Sequence, residues 1–278
     1  MESIENHFEV TGPLHESIRY FYCIRTSSEF KTTNQHLSPN LEMMLIFNFG
    51  SPVRISFADD AYGELRLNRV GVVGPLRKML NYEVLPGSDL IVAVFNTNGF
   101  YRLFELPMDE IGGETVMDPD DLAKTDGFSE LWKILKNISS LNDRIDFLKD
   151  YARLFIHEVQ EAAAPLIKGI SYLHNPLIQP VRAMADDADV SERTIQLRFK
   201  KYLGYSPKEF IRFLRFKQVI NAIQIQEATD VDWFGLIEKF GYHDQSHLIK
   251  DFHHYLGTTP QKFVREVAGK EFCVSRPS

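Results

Sequence analysis

Hydrophobic and polar residues alternate with two different periods along this chain of 278 residues. From about residue 8 to residue 106, segments rich in β-branched and aromatic residues are separated by Gly, Pro, Ser and Asn, which is the pattern of strands and turns. After Asp118 and Pro119, apolar positions recur every three or four residues, which indicates helices. The pattern therefore predicts a β-rich first part followed by helices.

The expected strands are short and closely spaced, at residues 18–24, 43–49, 53–57 and 90–95. Such spacing favours an antiparallel sandwich or barrel. The expected helices lie near residues 119–124, 128–138 and 142–162. The apolar stripe from Leu141 to Val159 leaves two interpretations open, a dimer seam or a helix packed on its own domain.

The last hundred residues repeat themselves at an offset of 53. The residues that recur are Phe199, Tyr202, Leu203, Gly204, Pro207, Phe210 and Arg212, matched by Phe252, Tyr255, Leu256, Gly257, Pro260, Phe263 and Arg265. Two unrelated amphipathic helices seldom share seven identities in register. We infer two copies of one supersecondary unit.

Each copy predicts a short helix, a turn, a second helix and a stop. Ser191 and Asp244 are placed as N-caps of the second helix, and Gly204 and Gly257 suit the left-handed residue that ends it. This is the pattern of a helix-turn-helix. A plain helical hairpin repeat is the alternative, but arrays of that kind usually need three or more units.

Charge modifies the picture, because the net charge of −7 at first argues against a nucleic-acid partner. Between Ser191 and Lys217, however, eight Lys and Arg residues face only two Glu residues. The local field, not the total charge, decides where a phosphate backbone docks. A basic surface on the first unit is therefore expected.

Four segments carry a family resemblance: residues 191–200, 204–207, 241–248 and 257–260. Over roughly residues 168–267 the chain resembles the AraC/XylS transcriptional regulators, whose DNA-binding domain has two helix-turn-helix units joined by one long helix, here from Pro207 to about Gln226. The resemblance implies an α+β fold class. An N-terminal antiparallel β sandwich or barrel, cupin-like and with following helices, would precede a C-terminal all-α double helix-turn-helix domain.

We divide the chain accordingly. The expected parts are a β-rich sensor domain at residues 1–118, a helical connector at 119–167 that could mediate dimerisation, the double helix-turn-helix domain at 168–267 and a tail at 268–278. The resemblance implies a sequence-specific regulator that is not an enzyme and needs no cofactor. Its implied partners are double-stranded DNA, a small-molecule effector, a second copy in a homodimer and, for an activator, RNA polymerase.

The candidate base contacts are Arg193 and Gln196 first, then Gln245, because Arg matches guanine edges and Gln matches adenine edges. The full set of expected DNA-binding residues is Arg193, Thr194, Gln196, Leu197, Arg198, Lys200, Lys201, Arg212, Gln245, Ser246, His247, Ile249 and Lys250. Backbone N–H groups at Ser206 and Thr259, which open helices, are further phosphate candidates.

The chain departs from the family pattern in both units. Many relatives carry Arg where this chain has Leu197, and Lys or Arg is common where it has His253 and His254. The second unit is poor in positive charge as a result. We therefore expect the first unit to dominate DNA affinity.

The candidate effector-binding residues are Phe47, Phe49, Arg77, Phe95 and Tyr101, on the hypothesis that an aromatic-lined barrel mouth takes a small ligand. Core packing is the simpler interpretation for each of these aromatic residues.

Two rival functions are weaker. A cupin-like metal enzyme would need converging His and carboxylate ligands, whereas His7, His15 and His36 are scattered, so we expect no metal and no catalytic residues. The other rival is an interaction module that has lost DNA binding. Cys23 and Cys273 are expected to be free thiols. We expect neither a secretory signal nor a membrane span, and a cytoplasmic protein.

Overall fold

Antiparallel strands make up the N-terminal part of the chain in the computed structural model, which describes residues 4–58, 65–174, 178–225 and 231–266. The strand segments are rich in Val, Ile, Phe and Tyr, which suit a pleated, half-buried surface. They are β1 (Ile4–Glu9), β2 (Ile18–Arg25), β3 (Thr33–Leu37), β4 (Met44–Asn48), β5 (Val53–Phe57), β6 (Arg66–Leu67), β7 (Val70–Val73), β8 (Leu80–Val84), β9 (Asp89–Phe95) and β10 (Val116–Met117).

The described strands form two sheets. The larger sheet has the order β1-β2-β9-β4-β7-β10, and the smaller has the order β3-β8-β5-β6. Strand β4 lies inside the larger sheet, where Phe47 is opposite Ile91 of β9 and Val70 of β7. All of the pairs are antiparallel. The expected antiparallel β architecture of the N-terminal part is confirmed.

Alternation along β4 supplies two different cores, because successive side chains of a strand point to opposite faces. Met44 and Ile46 pack with side chains of the smaller sheet, such as Ile55, so apolar residues of both sheets fill the space between them. Leu45 and Phe47 belong to another cluster, which includes the helices that cover the outer face of the larger sheet.

All the described α-helices follow β9, the first of them before β10 and the others after it. They are α1 (Gly99–Phe104), α2 (Pro119–Ala123), α3 (Gly127–Lys136), α4 (Leu141–Phe155), α5 (Ala164–Gly169), α6 (Pro180–Asp187), α7 (Glu192–Leu203), α8 (Pro207–Ile225), α9 (Trp233–Lys239), α10 (Gln245–Leu256) and α11 (Pro260–Glu266). Short 3₁₀ helices occur at Gly12–Glu16, Met108–Glu110 and Ile170–His174. The α+β fold class is confirmed.

The expected helix at residues 142–162 is too long. Helix α4 ends at Phe155, and Ile156 has an extended backbone. The chain then leaves the helix to pair with α1: the N–H of His157 donates to the carbonyl oxygen of Arg102 at 2.9 Å, and the Arg102 Nε–H donates to the carbonyl oxygen of His157 at 2.6 Å. A hydrophobic stripe in the sequence does not reveal such an exchange of partners.

The two repeated units have separate cores. Ile195 and Phe199 of α7 pack in the same cluster as the outer face of the larger sheet and α3 and α4. Phe252 of α10 packs in another cluster, with Phe216 and Val219 of α8. The first unit is thus continuous with the N-terminal part. The boundaries at residues 118 and 167 remain predictions, and the tail 268–278 lies outside the described residues.

Candidate nucleic-acid interface

The sequence repeat is also a repeat of structure. Helices α7 and α10 each have 12 residues and begin at Glu192 and Gln245. Helices α6 and α9 begin at Pro180 and Trp233, and α8 and α11 begin at Pro207 and Pro260. Each of the three starts is shifted by the same 53 residues. The pairs α6–α7 and α9–α10 are therefore two copies of one helix-turn-helix.

The ends of the second helix in each unit are fixed by the residues that the sequence placed there. The Ser191 hydroxyl accepts a hydrogen bond from the N–H of Thr194 at 3.1 Å, and the Asp244 carboxylate accepts one from His247 at 2.8 Å. These bonds satisfy N–H groups that a helix start leaves without partners. At the other ends, Gly204 and Gly257 are left-handed, with φ of 81° and 68°.

The turn inside each unit has a left-handed residue as well, Asp189 with φ 50° and Gly241 with φ 66°. The N–H of the residue after it bonds back to the preceding helix, from Val190 to Ala185 and from Tyr242 to Ile237, both at 3.0 Å. Helix α9 is one residue shorter than α6, and the turn that follows is one residue longer. The two turns keep the same shape despite this shift.

Helices α7 and α10 each present a polar face to solvent. On α7, Arg193, Gln196, Leu197, Lys200 and Lys201 are exposed, and Thr194 and Arg198 are half-buried. On α10, Gln245, Ser246 and Lys250 are exposed, and His247 and Ile249 are half-buried. These exposed side chains stand on the face opposite the cores. Their contact with DNA remains a prediction.

Thr194 and His247 have partners within their own units. The Thr194 hydroxyl lies 2.9 Å from the Ser191 hydroxyl, within the N-cap of α7. The His247 ring packs edge-on against Tyr242, with the ring centroids 5.3 Å apart. Both side chains thus support the shape of their unit as well as standing near its surface.

Arg212 lies in an ion-pair cluster that the sequence did not reveal. Its Nε and Nη2 atoms lie 2.8 and 2.7 Å from Oδ1 of Asp251, a fully buried carboxylate. Oδ2 of Asp251 accepts a hydrogen bond from the Tyr242 hydroxyl at 2.9 Å, and Nη2 of Arg215 is 4.0 Å away. The cluster fastens α10 and its turn to α8. This pairing competes with the phosphate contact expected of Arg212.

The repeat frame explains part of the weak charge of the second unit. Asp251 stands where the first unit has Arg198, 53 residues earlier. In the first unit this position carries a half-buried cation, whereas in the second it carries a buried anion that neutralises cations of α8. The comparison of the two copies is the signal by which Asp251 could have been found from the sequence.

The N–H group of Ser206 has a partner within the chain. It donates to Oε2 of Glu209 at 2.7 Å, and the Ser206 hydroxyl donates to the same oxygen at 2.7 Å. The Glu209 N–H in turn donates to the Ser206 hydroxyl at 3.2 Å, which completes a capping box at the start of α8. This capping box competes with the phosphate contact expected at the Ser206 N–H, which remains a prediction.

Ionisation of Glu209 follows from this capping box. Partial burial opposes its charge, but the hydrogen bonds from Ser206, with Arg77 and Lys200 nearby, hold the pKa of Glu209 below its usual value. The carboxylate therefore takes the place of an external anion at this helix start.

The candidate effector residues do not converge on one site. Phe47 and Phe95 line an apolar cavity of about 30 Å³ between the larger sheet and helices α3 and α4. Phe49 stacks between Phe47 and Trp132, at 6.4 and 6.1 Å. A volume of this size corresponds to about one water molecule. The cavity is thus too small, in this conformation, for a drug-sized ligand.

Tyr101 and Arg77 face the C-terminal part of the chain instead. The Tyr101 ring packs edge-on against Tyr202 of α7 at 4.8 Å. The Arg77 guanidinium donates a hydrogen bond to the carbonyl oxygen of Gly204. The two residues therefore belong to the contact between the N-terminal part and the first unit.

The described part of the chain has neither a cluster of metal ligands nor a membrane-spanning helix. Among residues 4–58, 65–174, 178–225 and 231–266, no three His, Cys, Asp or Glu side chains are grouped so as to hold a metal ion. No helix in these ranges is both long and apolar enough to cross a membrane. Burial raises the pKa of the Cys23 thiol to about 12, with smaller opposing and reinforcing effects of nearby charges.

Comparison with known families identifies the repeat. Residues 184–266 match a family model described as a helix-turn-helix domain. The C-terminal part of this chain is an AraC-type helix-turn-helix domain. The protein that carries this AraC-type domain is a DNA-binding regulator of transcription. Residues 7–117 match a family described as a domain of unknown function, and no curated protein sequence matches the chain.

Several solved structures have a limited likeness to this chain. ToxT from Vibrio cholerae O395 is 11% identical, with 90% of this chain and 98% of that chain covered and a TM-score of 0.39. A structure of ToxT bound to (E)-4-(8-methylnaphthalen-1-yl)but-3-enoic acid gives the same values. The AraC-like transcriptional activator CuxR is 12% identical, with coverage of 74% and 78% and a TM-score of 0.30.

Proposed function

We propose that the protein binds a specific DNA sequence by placing α7 and α10 in successive major grooves of one duplex. The observation that carries this proposal is the pair of helices, 53 residues apart, that are capped at equivalent positions and turn polar side chains away from their cores. Successive major grooves on one side of B-DNA are about 34 Å apart, so each unit would read its own group of base pairs.

Base recognition would rest mainly on the first unit. Arg193 and Gln196 are both exposed on α7, and their side chains match guanine and adenine edges with two hydrogen bonds each. Leu197, with 51% of its surface exposed, offers an apolar contact for a thymine methyl group. Gln245 would play the corresponding part on α10.

Phosphate contacts would come from the cations around these positions. Lys200, Lys201 and Lys250 are exposed, and Arg198 is half-buried. Arg212 is a weaker candidate because Asp251 already engages it. Contacts of this kind position the protein without reading sequence, and they make the affinity depend on salt.

Regulation would act through the N-terminal part. Its larger sheet, its helices and the first unit share one apolar cluster, so a change on the sheet side is transmitted to α7 without crossing solvent. We propose a small effector or a second copy of the chain as the source of that change. RNA polymerase would be a further partner if the regulator activates transcription.

The first test is direct binding to a selected duplex. A binding sequence is obtained by selection from random duplexes with the full-length chain, and affinity is measured by fluorescence anisotropy at several salt concentrations. Affinity that falls as salt rises supports the proposal, because phosphate neutralisation releases counterions. Arg193→Ala should weaken specific binding by about 1–3 kcal/mol and relax the preference at one base pair.

The matched control is Arg182→Ala. Arg182 lies on α6, the first helix of the same unit, with 65% of its side chain exposed and its Nε 4.0 Å from Asp186. Its loss removes the same charge from the same unit but leaves the solvent face of α7 intact. Equal effects of the two substitutions on base preference would contradict the assignment of Arg193, and affinity without salt dependence would contradict DNA binding through these helices.

A further inference from the structure

The connection between β7 and β8 reaches from the N-terminal sheets to both copies of the helix-turn-helix. We call residues Gly74–Met79 the bridging loop. It leaves the larger sheet after Val73 and enters the smaller sheet at Leu80. On its way it contacts Gly204, directly after α7, and Tyr255 in the last turn of α10.

The first contact is at the end of α7. The Arg77 guanidinium donates a hydrogen bond to the carbonyl oxygen of Gly204, the left-handed residue that ends the helix. A Cβ atom at Gly204 would lie only 2.8 Å from Cγ of Pro75 and 3.2 Å from the carbonyl oxygen of Met108. The bridging loop thus lies directly against the backbone at the end of α7. We call α7 and α10, the second helices of the two units, the recognition helices.

The second contact is in the last turn of α10. The backbone N–H of Met79 donates to the carbonyl oxygen of Tyr255 at 2.7 Å. The Met79 side chain is 8% exposed and is part of the core of the second unit, with Phe216 and Tyr255. The bridging loop therefore contributes both a hydrogen bond and a core side chain to the second unit.

The two contacts fall at nearly equivalent places in the repeat. Gly204 of the first unit corresponds to Gly257 of the second, two residues beyond Tyr255. On the bridging loop the contacting residues, Arg77 and Met79, are also two residues apart. One short segment of the N-terminal part thus holds matching ends of both recognition helices.

The bridging loop is itself anchored to the sheets. Leu76 is fully buried in the core between the sheets. Its N–H donates to the carbonyl oxygen of Glu42 at 3.0 Å, and its own carbonyl oxygen accepts from Leu41 at 3.0 Å. The Lys78 ammonium lies 2.8 Å from the Glu114 carboxylate. Because the bridging loop is held at so many points, it fixes the position of the helix ends that it contacts.

We propose that the bridging loop sets the separation and relative orientation of the two recognition helices, with Arg77 as a positioning residue. The N-terminal part would then determine the spacing between the two groups of base pairs that the protein reads. This inference rests on the proposed function, in which both units engage one duplex. Helix α8 joins the units along the chain, and the bridging loop supplies a second, independent link.

The test is a panel of duplexes that differ only in the spacing between the two half-sites. The selected duplex is compared with versions that have one base pair inserted or removed, and with duplexes that keep a single half-site. Wild-type full-length protein should bind duplexes of altered spacing more weakly than the selected duplex. We call the ratio of these two affinities the spacing penalty. Arg77→Ala should reduce that spacing penalty by about two- to thirty-fold, the range expected for a residue that modulates coupling between sites.

A merely structural role of Arg77 would lower binding to every duplex alike, including the single half-sites. Positioning predicts that affinity for the single half-sites stays within about two-fold of wild type, and that Arg77→Lys, which keeps a donor, restores part of the spacing penalty. The control is Arg153→Ala, which removes an exposed cation of α4 that pairs with Asp150. It should leave the spacing penalty unchanged.

Gly113→Ala provides a second variant in case Arg77→Ala does not fold. A Cβ atom at Gly113 would lie 2.4 Å from Nη1 of Arg77 and 2.9 Å from the carbonyl oxygen of Pro75, so the guanidinium and the bridging loop must both shift although no charge is lost. It should also reduce the spacing penalty. An unchanged penalty in whichever variant folds overturns the inference while the proposed function stands. A wild-type protein that gains nothing from the second half-site overturns the proposed function, and the inference with it.

Discussion

Replacing the buried carboxylate of Asp251 tests whether the second unit is held together by charge. Asp251 is fully buried and accepts hydrogen bonds from Nε of Arg212 at 2.8 Å and from the Tyr242 hydroxyl at 2.9 Å, and Nη2 of Arg212 lies 2.7 Å from its Oδ1. Removing one partner of a buried ion pair typically costs about 3–5 kcal/mol. The Arg212 and Arg215 side chains are 37% and 27% exposed, so water screens part of their charge and the loss falls near the lower end. We therefore expect Asp251→Ala to lower the free energy of unfolding of the second unit by about 3 kcal/mol.

The assay uses tryptophan fluorescence during urea unfolding of the full chain. The chain has two tryptophans, and Trp132→Phe leaves Trp233, whose ring lies 6.3 Å from that of Phe252 in the core of the second unit. With a urea dependence of about 1–3 kcal/mol per molar, Asp251→Ala should lower the Trp233 midpoint by about 1–3 M. Asp251→Asn should cost less, because its amide oxygen still accepts one hydrogen bond.

The controls separate this cluster from charge effects in general. Asp186→Ala removes an exposed carboxylate whose distance to Arg182 is 4.0 Å, and such surface pairs contribute about 0–1 kcal/mol. In the reciprocal background, Trp233→Phe, the remaining Trp132 reports on the N-terminal part and its transition should not move. A change below about 0.5 kcal/mol at Trp233 for Asp251→Ala would refute the reasoning.

Three further outcomes are expected. Ser191→Ala should lower the stability of the full chain by about 1 kcal/mol in thermal unfolding, since α7 loses its N-cap, whereas Ser191→Asp should retain it. The pKa of Glu209 is lowered in the folded state, so its contribution to stability is present above about pH 4.5 and is lost as the pH falls through the folded-state pKa. Glu209→Gln should therefore flatten that part of a curve of stability against pH. An unchanged slope would contradict the capping box with Ser206. In a Cys273→Ser background, Cys23 should react with a thiol reagent at pH 8 only when the protein unfolds, because burial raises its pKa to about 12. Rapid labelling of the native protein would show that the thiol is accessible.

Local signals were sufficient to predict the C-terminal helices. The caps at Ser191 and Asp244 and the left-handed glycines at 204 and 257 act within one turn of the chain, so their pattern survives in the sequence. The repeat then predicted which residues of the two units correspond to each other. The candidate contacts on α7 and α10 were predicted by the same means, and their exposure is the part that the structure supplies.

Long-range partners were not predictable in this way. Nothing near Arg77 in sequence points to Gly204, 127 residues later, and nothing near Phe155 indicates that the chain will turn away to pair with Arg102. The aromatic residues of β4 and β9 were correctly placed in strands, but a strand pattern does not say which of its two faces meets a second sheet and which meets helices. The Phe47 and Phe95 side chains point toward the helices.

The first unit shares its core with the N-terminal part, so the two units differ in how freely they can be altered. Tyr202 and Tyr205, each 4% exposed, are covered in the intact chain, so a fragment cut to the AraC-type domain alone would turn these rings toward water and is expected to self-associate. The second copy packs mainly against α8 and its own helices, and the N-terminal part adds Met79 and the partly buried Leu41 to its core. The second unit is therefore the one that could be exchanged between related proteins. Substitutions on the buried face of the first unit must instead be matched by substitutions in the N-terminal part.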